Sequence, residues 1–98
     1  MEKDLKVIYM LNGLIVIAEK IDNNQQVQVR QALALAPGQQ KGVMAFMEAF
    51  PFTAMDEVIT LERGSYIAMS ELDDPNIKEN YMNSLTTIRA KKSGLILP

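Results

Sequence analysis

Histidine and cysteine are both absent from this sequence. Zinc sites built on those ligands, thiol nucleophiles, disulfides and histidine-based triads are therefore excluded. Any catalysis would have to come from carboxylates, lysine, serine or a hard metal. Asp56 and Glu57 are neighbours, and neighbours on a strand point to opposite faces, a poor geometry for an acid and a base acting together. Asp73 and Asp74 precede Pro75 and a helical pattern, so they read as a helix cap rather than a magnesium site. No serine sits in a nucleophile-elbow pattern and no glycine-rich phosphate loop occurs. The expectation is a protein that is not an enzyme and that uses neither cofactor nor metal.

Two polar turns carry the remaining chemistry. The first, Asp22-Asn23-Asn24-Gln25-Gln26, is dense in amides that can both donate to and accept from a base edge. Asp22 within it is suited to closing an Asx-type turn. The second is Arg63-Gly64. There a guanidinium on a tight bend can stack on a ring or grip a phosphate, and glycine supplies the positive φ of the bend.

The elements that would hold these turns are mostly strands. Residues 5–11, LKVIYML, end at Asn12-Gly13, a hairpin signal, and the apolar run 14–18 follows. Both faces of that second run are apolar, which calls for cover on both sides. After the polar turn, Val27, Val29, Gln31, Leu33 and Leu35 alternate with Gln28, Arg30, Ala32 and Ala34 up to Pro37-Gly38. That alternation predicts a third strand with one continuous inward face. Residues 38–55 form a variable insert whose pattern fits either a helix or an extended segment, with the glycines at 38 and 42 favouring the latter. Residues 58–61, VITL, and 66–69, YIAM, are strands on either side of the Arg63-Gly64 turn. The period then changes. Ile77, Tyr81, Leu85 and Ile88 recur at three and four, predicting a helix over about 75–91 capped by Asp73 or Asp74. The organisation is mainly β, one domain over residues 1–98, with curved strands over about 5–71 and a C-terminal helix.

At 11.0 kDa the chain has room for one small core. The net charge of −2 creates no global attraction for nucleic acid or membrane. Charge is unevenly placed, however. Residues 31–74 carry seven acids against Lys41 and Arg63, and residues 75–98 are net +3. An acidic middle and a basic tail can complement each other between copies. The longest apolar runs, such as Leu14 to Ala18, are far short of the ~20 residues of a membrane helix, and no membrane partner is expected. With no cysteine and no secretory pattern at the start, the expected location is cytoplasmic. The strands 58–61 and 66–69 lack proline and present apolar edges, which a partner copy could pair with so that rotation closes a ring.

Two stretches together resemble the Sm-like (LSm) family. Val7 to Gly13, Val16 to Ala18, Asp22 and Gln25 to Val29 are similar to its first motif, an apolar-x-Leu-x-x-Gly strand followed by Asp-x-x-Met-Asn and a further strand. Leu61-Glu62-Arg63-Gly64-Ser65-Tyr66-Ile67 is similar to the second, an apolar-x-Arg-Gly turn with an isoleucine or valine three residues past the glycine. The resemblance implies a strongly bent five-stranded antiparallel sheet forming a small open barrel, in a divergent phage or bacterial member. It implies a homo-oligomeric ring of five to seven subunits, joined through strands at about 56–62 and 65–71. It further implies single-stranded U- or A-rich RNA at the central pore, with a role as RNA chaperone or in RNA processing. Gln25 then takes the stacking position, Gln26 the base-reading position and Asp22 the loop-bracing one, while Arg63 and Gly64 hold the second turn. Here the second glycine of the first motif is Ala18, Gln25 offers no ring, and the helix lies at the C-terminal end. The alternative is a structural or protein-interaction ring that has lost RNA binding and docks protein through the stripe Ile77, Tyr81, Leu85 and Ile88.

Overall fold

The computed structural model of this chain describes residues 4–21, 25–37 and 44–93. Six strands run antiparallel in one open sheet: β1 (Leu5–Met10), β2 (Ile15–Ile21), β3 (Val27–Pro37), β4 (Met44–Glu48), β5 (Ile59–Leu61) and β6 (Tyr66–Glu71). Helix α1 (Pro75–Ser93) follows. The sheet order is β4-β3-β2-β1-β6, with β5 also pairing β3. The mainly β reading with a C-terminal helix thus holds. The strand count is six because the insert contributes a strand at 44–48 while residues 38–43 lie outside the described ones.

The turns are set locally. Gly13 has φ +92°, and its N–H donates to the Met10 carbonyl at 3.0 Å. The Asn12 side chain accepts from the Leu14 N–H at 3.0 Å. Glycine is needed here because only it adopts that φ without strain. At the helix start, the Asp74 carboxylate accepts from the N–H groups of Asn76 (2.9 Å) and Ile77 (3.4 Å), so Asp74 is the cap and Pro75 opens the first turn.

β3 departs from the simple alternation. Ile17 pairs with Leu33 and Glu19 with Arg30, so Gln31 and Ala32 together face the single Ala18. This is a β-bulge, and Gln31 sits in it at φ +56°. The bulge flips the phase of the strand. Val27 and Val29 share their face with Ala32 and Ala34, while Leu33 turns to the opposite one. The single apolar face expected through Gln31, Leu33 and Leu35 is therefore broken, because one extra residue reverses every side chain after it. The bulge also divides the partners of β3. Residues 27–29 pair with β5 and residues 33–37 with β4.

Each face of the sheet has its own core. Ile8, Val16, Ala18, Val29, Ala32, Ala34 and Leu61 form one, joined by Ile59, Tyr66 and Met69 from the two ends of the sheet. Residues of β5 and β6 meet in one cluster only if the sheet is strongly curved. On the other face, Leu5, Ile17 and Leu33 pack under Tyr81 and Leu85 of α1. That explains why β2 is apolar on both sides: Val16 and Ala18 point inward, and Ile17 lies beneath the helix.

The helix is anchored on the bulge. The Tyr81 hydroxyl donates to the Gln31 carbonyl at 2.5 Å, and its ring meets Phe46 edge-on with centroids 6.3 Å apart. The Gln31 N–H donates to the Met55 carbonyl at 3.1 Å, and its side-chain amide donates to Asp56 at 2.6 Å. Arg89 donates to the same Asp56 oxygen at 2.7 Å. Asp56 and Glu57 precede β5 instead of lying on it, and Asp56 serves this anchor. Valine at position 31 would force a β-branched residue into the left-handed region and remove the amide. The expected cost of Gln31→Val is about 2–4 kcal/mol, read as a lower urea midpoint.

Candidate functional site

The register of β3 with β5 brings Gln25 and Gln26 close to the Arg63-Gly64 turn. Val27 pairs with Leu61 and Gln28 with Thr60, whose side chains share a hydrogen bond of 3.2 Å. Continuing that register past Val27 and Leu61 carries Gln26 towards Glu62 and Gln25 towards Arg63. All four line one cleft of about 470 Å³, together with Lys20, Thr60 and Tyr66. The volume is in the range of small-ligand sites.

The Arg63 turn is rigidly made. The Ser65 N–H donates to the Glu62 carbonyl at 3.1 Å and the Ser65 hydroxyl to the same oxygen at 2.7 Å. Gly64 has φ +88° in the third position of this turn. A negative φ at Arg63 followed by a positive one at Gly64 is the type II form, which places Arg63 at the exposed corner. Among the described residues Arg63 has no ion-pair or hydrogen-bond partner for its guanidinium, and neither does the Lys20 ammonium. The other cations of the sheet are engaged: Arg30 with Glu19 at 2.8 Å, and Lys6 with Glu71 and Asp4. Those contacts raise the pKa of Lys6, with the Glu71 hydrogen bond as the main cause.

Of the sequence-predicted site residues, Gln25, Gln26 and Arg63 share the cleft, and Gly64 shapes the turn beside it. Asp22 lies outside the described residues. Lys20, Glu62 and Tyr66 were not singled out by their sequence pattern. Each flanks a turn that was: Glu62 and Tyr66 lie within two residues of Arg63-Gly64, and Lys20 lies two before Asp22. Tyr66 supplies the ring that Gln25 lacks. It is half-buried, packing its body against the core while lining the cleft, a usual arrangement for a stacking platform.

Chemically, the cleft offers, among the described residues, two amides, a phenol ring, a threonine hydroxyl, two cations and one carboxylate. Among the described residues no cluster of three or more acidic side chains could hold a metal ion. Nor is any helix among them long and apolar enough to cross a membrane. The stripe Ile77, Tyr81, Leu85 and Ile88 packs on the chain's own sheet, with Tyr81 and Leu85 buried. That removes the free apolar face on which docking through the helix depended. Comparison with known proteins finds no family model and no curated protein that matches this chain.

Proposed function

We propose that this chain is an Sm-like protein which assembles into a ring of five to seven copies and binds single-stranded RNA, rich in uridine or adenosine, without catalysing a reaction. The observation that carries this reading is the convergence of Gln25, Gln26 and Arg63, with Lys20 and Tyr66, on one cleft. Amides read base edges, an aromatic ring stacks on a base, and unpaired cations meet phosphate. An RNA chaperone or a factor in RNA processing would need no more chemistry than this.

The ring draws support from the sheet. β6 ends the strand order, and β5 pairs only β3, so each presents an edge with no strand partner among the described residues. Ile67 on β6 is 70% exposed and Val58, next to β5, 42%. Apolar residues at open edges favour edge-to-edge pairing. A head-to-tail contact repeated around a rotation axis closes into a ring. Repetition matters for binding, because a weak site multiplied around a ring gains through effective concentration.

Multi-angle light scattering on the free protein, and then with short uridine-rich and adenine-rich RNAs, tests both parts. The expected result is one discrete species of five to seven subunits that gains mass with RNA. A monomer would overturn the ring. A ring indifferent to both RNAs would overturn the RNA reading.

A further inference from the structure

Resting on that RNA-binding reading and narrowing its uridine-or-adenosine preference, we infer that Glu62 makes the cleft select bases carrying an exocyclic amine (adenine, cytosine or guanine) over uracil. Glu62 lines the cleft beside Gln26 and Arg63. Its backbone is held by the two hydrogen bonds from Ser65, whereas its carboxylate has no hydrogen-bond or ion-pair partner among the described residues.

An ionised carboxylate only accepts hydrogen bonds. Adenine N6, cytosine N4 and guanine N2 each present an amine that donates to such a group, and acidic side chains reading cytosine N4 are a known pairing. Uracil has no amine. Its one N–H on the pairing edge is flanked by two carbonyl oxygens, which would stand against the carboxylate. The amides of Gln25 and Gln26 can match either kind of edge, so they do not discriminate by themselves.

The charge argues the same way. An anion in a nucleic-acid site weakens phosphate binding for every sequence. Glu62 therefore favours binding only where a base donates to it. Lys20 and Arg63, unpaired among the described residues, supply the attraction for the backbone that the carboxylate reduces.

The test is fluorescence anisotropy of the assembled protein with labelled oligo(A), oligo(C) and oligo(U) of equal length at one salt concentration, repeated with Glu62→Gln. Oligo(A) or oligo(C), or both, should bind about tenfold more tightly than oligo(U), the size expected of one good base contact. In Glu62→Gln that ratio should shrink to about twofold, since an amide can also donate to a uracil carbonyl. The general gain from losing a negative charge cancels in the ratio. Preference for one amino base alone, lost in the variant, identifies which one fits. Equal or tighter binding of oligo(U), or a ratio unchanged by the substitution, overturns the inference. If no oligonucleotide binds the native protein, the RNA-binding reading itself has failed. Binding without base preference defeats only the role given to Glu62.

Discussion

Tyr81→Ala should lower the stability of the fold by about 3–5 kcal/mol, the range for losing a fully buried aromatic ring. Tyr81 is fully buried, packs edge-on against Phe46, and closes the second core over Leu5, Ile17 and Leu33. Its hydroxyl satisfies the carbonyl of the bulged Gln31. Small domains hold only about 5–15 kcal/mol in total, so the alanine variant would be close to unfolding. Tyr81→Phe keeps the ring and loses one buried hydrogen bond, at an expected cost of about 1–3 kcal/mol. Urea unfolding of the three proteins, compared at constant slope, checks both values. Equal midpoints for the native protein and the alanine variant would show that the helix does not close this core.

The same residue governs the alkaline limit. Burial pushes the Tyr81 phenol well above its ordinary pKa. As pH rises past about 10, the unfolded chain releases this proton while the folded chain retains it. The stabilisation from a neutral, buried Tyr81 is therefore complete below pH 10 and is lost progressively above it. Tyr81→Phe should flatten that part of the stability profile relative to the native protein.

On the proposed RNA-binding reading, Arg63→Ala should have the largest effect on RNA affinity. The guanidinium stands at the corner of a turn whose geometry is set by Gly64 and Ser65, and it has no partner within the described chain. Arg63 is exposed, so the fold should persist without it. Each lost phosphate contact reduces the slope of log affinity against log salt by about 0.7 for a single strand. Binding at moderate salt should fall at least about tenfold for every RNA tested, more if several ring sites engage one strand. Anisotropy titrations at three salt concentrations separate this uniform loss from the base-dependent change expected at Glu62. An affinity and salt slope equal to the native values would remove Arg63 from the proposed RNA site.

Much of this protein is decided within a few residues of each position. The absence of histidine and cysteine limits the available chemistry without reference to any fold. Gly13 and Gly64 bend the chain where only glycine adopts the required φ, and Asp74 caps the helix through N–H groups two and three residues ahead. The 77, 81, 85, 88 stripe identified the face of the helix that is covered, though not what covers it. Lys20, Glu62 and Tyr66 escaped notice because nothing in their own neighbourhoods sets them apart from solvated or core residues.

Tertiary structure alone decided three further things. Gln31 occupies an alternating segment that looks continuous. Its bulge is held by Asp56, 25 residues away, and by Tyr81, 50 residues away. Local alternation cannot encode partners at that distance, so it gives the wrong phase for β3 after residue 30. The closing of α1 onto its own sheet likewise involves the bulge, whose Gln31 carbonyl accepts from the Tyr81 hydroxyl. The cleft exists because Val27 pairs with Leu61. That single register sets Gln25 and Gln26 beside Glu62 and Arg63, more than 30 residues away in the chain. Short-range sterics and hydrogen bonding fix turns and caps, whereas register and bulges are settled only when distant strands bury their apolar faces together.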